Sequence, residues 1–118
     1  MELTDSKPVL AQVQDMKDLV AYQDGAVVSR TIVNTNAGTV TAFAFDEGQE
    51  LSEHTAAYDA MVIVIEGKID IRISGSVFQL EEEQIIVMPA NKPHAVKAVT
   101  RFKMLLVMIR SKRSTERK

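Results

Sequence analysis

Residues 61–80 carry the clearest secondary-structure signal in the chain. They read Met-Val-Ile-Val-Ile-Glu-Gly-Lys-Ile-Asp-Ile-Arg-Ile-Ser-Gly-Ser-Val-Phe-Gln-Leu. The isoleucines of residues 69–73 alternate with polar side chains, which is typical of a strand with one buried face. Residues 66–68 and 74–76 interrupt the apolar runs, and each contains a glycine that can supply the positive φ of a tight turn. This segment therefore predicts three short strands, of which the last two form a hairpin.

Short runs of the same kind lie on both sides of this segment. Residues 26–34 are rich in β-branched side chains, residues 39–45 alternate, and further strands are predicted at 85–88, 95–99 and 102–109. The N-terminal segment before them predicts only a short helical turn or an irregular lead-in. No segment predicts the long helices that parallel βαβ units need. Many short strands separated by turns predict an all-β sandwich or barrel.

Three of these strands are apolar on both faces, at residues 61–65, 85–88 and 104–109. An antiparallel strand with one face in water should alternate, so the outer faces of these three must be covered as well. A second subunit would provide that cover, and two-fold dimers are the commonest closed oligomers. The residues before position 26 are the alternative cover. We favour the second subunit and expect a homodimer.

Length and composition restrict the classes of protein. The 118 residues suit one domain, which we place at residues 1–118. Hydrophobic residues make up 46% and charged residues 25%, a balance that excludes a disordered or low-complexity chain. The absence of cysteine excludes disulfides, cysteine-based zinc sites and thiol nucleophiles. With two histidines, a histidine-based metal site has at most two imidazoles from each chain.

Charge is unevenly distributed along the chain. The net charge is −2, yet residues 110–118 hold five basic residues and one acid, so the rest of the chain is acidic. An acidic body disfavours nucleic acid, and we interpret the basic tail as a solvated chain end. No apolar run approaches the about 20 residues of a membrane helix, and the first residues lack a signal-peptide pattern. We expect a soluble cytoplasmic protein without a nucleic-acid or membrane partner.

The polar residues that could carry chemistry lie in two stretches, residues 46–60 and residues 89–94. The first stretch contains His54 and the second ends at His94. Two prolines bracket the second stretch, and because proline fixes φ and lacks a backbone donor, the loop should enter the His94 strand rigidly. A rigid loop of this kind is suited to positioning a ligand or a base.

Both stretches resemble the two sequence motifs of the cupin superfamily. The first cupin motif is G-x5-H-x-H-x3-E-x6-G, which the chain matches at Gly48, His54 and Gly67. The second is G-x5-P-x-G-x2-H-x3-N, which the chain matches at Pro89 and His94. The resemblance covers roughly residues 38–109 and implies a small single-domain cupin. Its fold would be an antiparallel jelly-roll barrel, or double-stranded β-helix.

The resemblance also implies a divalent metal. Cupins bind it through two histidines and a glutamate of the first motif and the histidine of the second. Position by position, these ligands fall at His54, Ala56, Ala60 and His94, so only two of the four can bind a metal. Non-haem iron and catalytic zinc centres usually take three protein ligands. The metal motif is therefore incomplete.

A neighbouring residue could restore the third ligand. Because side chains alternate along a strand, Tyr58 shares the face of His54, whereas Asp59 points the other way unless a bulge re-aims it. A His54–Asp59–His94 set would imitate the two-histidine-one-carboxylate triad of non-haem iron enzymes. We predict His54, His94 and Tyr58 as ligand-binding residues. The candidate ligands of iron, manganese, nickel or zinc are His54, His94 and Asp59, with Tyr58 or water as alternatives for the third.

The function that this pattern predicts is small-molecule binding in a cupin barrel, with two histidines fixing the polar end of a partly apolar ligand. The alternative is a metal-dependent enzyme of dioxygenase, isomerase or decarboxylase type, acting on a small organic acid or phenol. A third alternative is an interaction module without a ligand. The sequence has no glycine-rich phosphate motif and no nucleophile elbow, so it assigns no catalytic residue.

Overall fold

Ten strands and a short 3-10 helix, Met16–Asp18, make up the regular structure in the described part of the chain, residues 2–5 and 10–110 of a computed structural model. The strands are β1 Glu2–Asp5, β2 Val27–Thr35, β3 Gly38–Phe45, β4 Glu50–His54, β5 Tyr58–Glu66, β6 Lys68–Ile73, β7 Ser76–Glu81, β8 Ile85–Met88, β9 His94–Ala98 and β10 Phe102–Arg110. The predicted all-β class is confirmed. Most of the basic tail lies outside the described residues.

The strands form two sheets that face each other across one core. A six-stranded sheet has the order β1-β2-β3-β10-β5-β8, and a four-stranded sheet has the order β4-β9-β6-β7. Every pairing is antiparallel except that of β1 with β2, which is parallel. Strands far apart in sequence are neighbours in both sheets, as a jelly-roll requires. The predicted jelly-roll barrel is confirmed.

The predicted strands are all present, with ends that move by up to three residues, but two further strands were not predicted. β4 is polar and largely exposed, so its sequence shows no alternation between apolar and polar residues. It is a strand because β9 supplies its hydrogen-bond partners. β1 likewise exists through its pairing with β2. In both cases long-range pairing outweighs local preference.

The core lies between the two sheets and is packed with the inward side chains of both. Its largest fully buried members are Phe45, Phe102, Ile69, Ile71, Met104, Val62 and Val64. The rings of Phe45 and Phe102 are stacked, with centroids 4.4 Å apart. Full burial of an aliphatic or aromatic side chain of this size contributes about 1.5–3 kcal/mol.

The N-terminal segment covers one part of the outer face of the six-stranded sheet. Leu19 and Val20 are buried against Ala42 and Ala44 in a second, smaller apolar cluster. Side chains of the sheet hold this segment by its backbone: Arg30 Nη1 donates to the Leu19 carbonyl at 3.0 Å, and Lys103 Nζ donates to the Lys17 carbonyl. The alternative cover considered from the sequence is therefore present, but only over part of the sheet.

Among the described residues, no helix combines the length and apolar character needed to cross a membrane. The cytoplasmic location stays a prediction.

The turns follow the glycine pattern of the sequence. Ser74 and Gly75 connect β6 to β7 with φ angles of 49° and 88°, the two positive values of a type I′ hairpin. Gly67 connects β5 to β6 with a φ of 87°. A Cβ atom at Gly67 would collide with the backbone of Arg101 and would lie 2.6 Å from Cβ of Phe102. The chain therefore needs glycine here for conformation and for space.

Gly67→Ala and Gly75→Ala separate these two requirements. Both replacements place alanine in the left-handed conformation, which destabilises the fold by about 1–2 kcal/mol. A Cβ at Gly75, however, has no atom within 4 Å. We expect Gly67→Ala to lower the free energy of unfolding by about 2 kcal/mol more than Gly75→Ala, because Phe102 must move. Urea denaturation of both variants measures the difference. Equal losses would contradict the close approach of the β9–β10 turn to Gly67.

Candidate functional site

The two histidines of the chain meet where two strands pair. His54 is the last residue of β4 and His94 the first residue of β9, and their Cα atoms are cross-strand partners. The ring centroids lie 4.4 Å apart, with the planes at 69° to each other. His94 is buried, whereas His54 is exposed. One imidazole is therefore enclosed by the fold, and the other faces solvent. We call the end of the barrel at which His54 and His94 lie the mouth.

Backbone carbonyls orient both rings in the same way. Nδ1 of His54 lies 2.8 Å from the Ser52 carbonyl, and Nδ1 of His94 lies 3.2 Å from the Lys92 carbonyl. A carbonyl oxygen only accepts, so each Nδ1 carries the proton and donates. In the neutral ring, Nε2 then holds a lone pair that can accept a hydrogen bond or bind a metal.

Electrostatics favours a neutral His94. Burial is the main cause that lowers the pKa of His94 below its usual value, and the neighbouring charge of His54 lowers it further. The hydrogen bond to the Lys92 carbonyl acts in the opposite direction. Nε2 of His94 therefore stays an acceptor over a wider pH range than in a free imidazole.

The β7–β8 turn and the loop before His94 keep the backbone of a glycine motif without the glycines. Glu83 and Asn91 occupy the two glycine positions of the second cupin motif, and both have positive φ, 71° and 65°. Asparagine tolerates this conformation better than most residues. The backbone amide of Asn91 donates to the Ala56 carbonyl at 2.8 Å, which ties the loop to the chain after β4.

Asp59 also stabilises this loop. Its Oδ1 accepts a hydrogen bond from the backbone amide of Ala90 at 3.0 Å. Between residues 10 and 110, no three histidine, aspartate or glutamate side chains come together as a metal site. The predicted set of Asp59 with the two histidines is therefore not assembled in this conformation. The side chains at the two remaining motif positions, Ala56 and Ala60, offer no ligand atom.

Tyr58 lies at the start of β5 and has a partner that the sequence analysis missed. The inward residues of β5 are Ala60, Val62 and Val64, so alternation places Tyr58 on the same face. The Arg110 guanidinium lies over its ring, with Cζ 5.5 Å from the centroid. Arg110 was assigned to the basic tail, but it is the last residue of β10 and the cross-strand partner of Tyr58. Its even spacing from the inward Met104 and Met108 was the available signal.

Four hollows on the described part of the surface have neither histidine in their lining. One of about 190 Å³ lies on the outer face of the four-stranded sheet, against Glu50, Asp70, Arg72 and Lys97. A larger cleft of about 730 Å³ lies between the 3-10 helix and residues 82–83. Shape and chemistry therefore point to different places. We give more weight to chemistry, because the oriented imidazoles are the groups able to bind a polar ligand atom.

Comparison with known proteins identifies the family. Residues 42–110 match the family model described as a cupin domain, which is more than half of the chain. The chain belongs to the cupin family. No protein of curated function is detectably similar to it.

Solved structures support the same assignment. A conserved protein of unknown function from Streptococcus pyogenes is 38% identical, with a TM-score of 0.82 over 86% of this chain and 90% of that one. A cupin 2 conserved barrel domain protein from Leptotrichia buccalis is 35% identical, with a TM-score of 0.77 over 79% of this chain and 45% of that one. KdgF from a Halomonas species is 16% identical, with a TM-score of 0.68 over 81% and 91%, which shows a shared fold.

The lowered pKa of His94 predicts a specific loss of stability in acid. The unfolded chain takes up the proton first, near the ordinary pKa of about 6.5, so stability is complete above that pH. It is lost as pH falls from there through the lower folded-state pKa. We expect the melting temperature of His94→Asn to change less across this range than that of the wild type.

Melting curves at a series of pH values, followed by circular dichroism, measure this difference. His54→Asn is the control, because it removes the neighbouring charge and leaves His94 buried; its pH dependence should be intermediate. If the melting temperatures of the wild type and His94→Asn change equally with pH, the lowered pKa of His94 is wrong.

Proposed function

We propose that this cupin binds a small molecule at the barrel mouth and that the Nε2 atoms of His54 and His94 hold the polar end of the ligand. The observation that carries the proposal is that both rings use Nδ1 in the same kind of hydrogen bond. Each Nδ1 is engaged by a carbonyl two residues earlier, so both Nε2 atoms remain available, on rings whose centroids lie 4.4 Å apart. Such pre-orientation lowers the entropic cost of binding.

The surroundings of the histidines suit an apolar body in the same ligand. Partly buried apolar side chains pack against the core on the inward faces of both sheets: Leu51, Ile73, Ile86, Leu106 and Met108. Ile73 is the cross-strand partner of His94, so an apolar wall begins directly beside the imidazoles. Ligand sites commonly combine apolar walls with a few oriented polar groups.

The alternative function is a metal-dependent enzyme of the dioxygenase, isomerase or decarboxylase type. The two Nε2 atoms would be two of the metal ligands, and the metal would supply Lewis-acid chemistry. The side chains present do not complete such a centre, because the carboxylate of Asp59 is engaged by the Ala90 amide. We therefore place metal-free binding first, and we derive no reaction step.

Metal content and ligand binding distinguish the two functions. For untagged protein, elemental mass spectrometry should give iron, manganese, nickel and zinc well below one per chain, even after each is added. A library of small organic acids and phenols, followed through the NMR signals of the histidine rings, should yield ligands that bind the wild type. His54→Ala and His94→Ala should each weaken these ligands about tenfold or more, because a hydrogen bond to the ligand is lost.

Lys92→Ala is the matched control for these variants. Lys92 is exposed and lies beside His94, and its replacement leaves the backbone carbonyl that orients the ring. It should bind the same ligands as the wild type. Close to one metal per chain, lost in the two histidine variants, would replace the binding proposal by the enzyme. Unchanged affinity in both histidine variants would refute both.

We also propose that the protein forms a homodimer through an outer apolar patch, which we define as Met61, Ile63, Ile85, Val87, Val107 and Ile109. Cross-strand pairs make the patch continuous: Val107 pairs with Met61, which pairs with Val87. Ile85, Val87 and Ile109 are 58%, 51% and 57% exposed. The six side chains of the patch carry no charge. A second copy of the chain is thus a suitable cover.

Val87→Lys tests the dimer, because it places a charge in the patch. Val77→Lys is the matched control: Val77 is 54% exposed on the four-stranded sheet, outside the patch. Sedimentation velocity should show a dimer for the wild type and Val77→Lys, and a monomer for Val87→Lys, since an unpaired charge in an apolar interface is costly. A monomeric wild type, or a dimer that both lysine variants leave intact, would refute the proposal.

A further inference from the structure

Arg110 is an arginine held in place at the mouth. Its backbone amide donates to the Ala37 carbonyl at 3.1 Å, and its Nε donates to the Asn36 carbonyl at 3.4 Å. Its guanidinium lies over the ring of Tyr58. The carbonyl and the aromatic ring together restrict this exposed side chain.

The histidines lie at the same end of the barrel. β9 begins at His94 and runs away from the mouth, and β10 returns after a short turn and ends at Arg110. Tyr58 begins β5 four residues after His54, and its backbone partner is Arg110. Two strand ends, at His54 and Arg110, and two strand beginnings, at Tyr58 and His94, thus lie at the same end of the barrel.

The charge of Arg110 is not neutralised by the described residues. No aspartate or glutamate between residues 10 and 110 forms an ion pair with it. Arg101, at the opposite end of β10, differs: its guanidinium pairs with both Asp24 and Asp46. Among residues 10–110, the guanidinium of Arg110 donates a hydrogen bond only from Nε, to the Asn36 carbonyl. A guanidinium presents paired donors that match the two oxygens of a carboxylate.

The donors and acceptors of the rim are complementary to one class of molecule. Arg110 offers donors with a positive charge, whereas His94, whose Nδ1 lies against the Lys92 carbonyl, offers an acceptor at Nε2. We infer that the ligand is a small hydroxy acid whose carboxylate accepts from Arg110 and whose hydroxyl donates to a histidine Nε2. This inference rests on the proposed function and names the class of ligand.

Hydroxybenzoates and their amides provide the test, because they differ in charge at nearly constant shape. The probes are the ortho, meta and para isomers of hydroxybenzoate, the matching hydroxybenzamides, and benzoate. Titrations of the wild type are followed through the histidine ring signals, which restricts the observation to the mouth. At least one hydroxybenzoate should bind about tenfold more tightly than both its amide and benzoate, the usual magnitude for one charge-assisted or neutral hydrogen bond.

Arg110→Gln should abolish the preference for acid over amide and retain the preference for the hydroxyl. Arg101→Gln is the control, because it removes an arginine that lies just before β10 and is already paired with two acids. Both preferences should remain. Tyr58→Leu should reduce the preference for the acid several-fold, because Arg110 loses the ring that restricts it.

The outcomes separate this inference from the proposed function. If ligands move the histidine signals but acids and amides bind equally, the mouth binds small molecules and the assignment of a hydroxy acid is wrong. If Arg110→Gln keeps the preference for the acid, Arg110 is not the anion partner. If no hydroxybenzoate moves the signals, the inference is refuted, and the broader library decides the proposed function independently.

Discussion

The pairing of β4 with β9 is the interaction on which the site depends. It joins a polar, exposed strand to a buried one and places His54 directly opposite His94. β9 is in turn paired with β6, so the position of His94 is set by the centre of the four-stranded sheet. The two histidines are far apart in sequence. Bringing them together costs loop-closure entropy, and burial of the apolar core offsets that cost.

This cupin keeps the backbone conformation of the family motifs but not all of their metal-binding side chains. Glu83 and Asn91 accept positive φ at positions where the family motif has glycine, so the turns of the fold are preserved at some conformational cost. Two of the four metal positions, by contrast, hold alanine. A fold can thus persist while the chemistry of its site changes, which is why family membership alone does not assign a reaction. What remains is a pair of imidazoles, each held by a backbone carbonyl.

The outer face of the six-stranded sheet has two apolar regions that must be kept from water, and they are covered in different ways. Near β2 and β3 the N-terminal segment covers the sheet, where small residues such as Ala42 and Ala44 leave room for Leu19 and Val20. Toward β8 the residues are larger and the chain provides no comparable cover among the described residues, so Ile85 and Val87 remain exposed. Both halves satisfy the rule that apolar sheet faces are covered, the first within the chain and the second through the proposed dimer.

The sequence alone predicts the strands that alternate between apolar and polar residues and those that are wholly apolar. Consecutive residues of such strands show directly whether one face or both faces are buried. The β6–β7 hairpin and the fold class followed from it, and motif spacing located the two histidines. β4 and the role of Arg110 did not follow, since a polar strand and a basic chain end become recognisable only through their partners, β9 and Tyr58. The engagement of Asp59 by the Ala90 amide is of the same kind. Such contacts join residues distant in sequence, and only the folded chain brings them within reach.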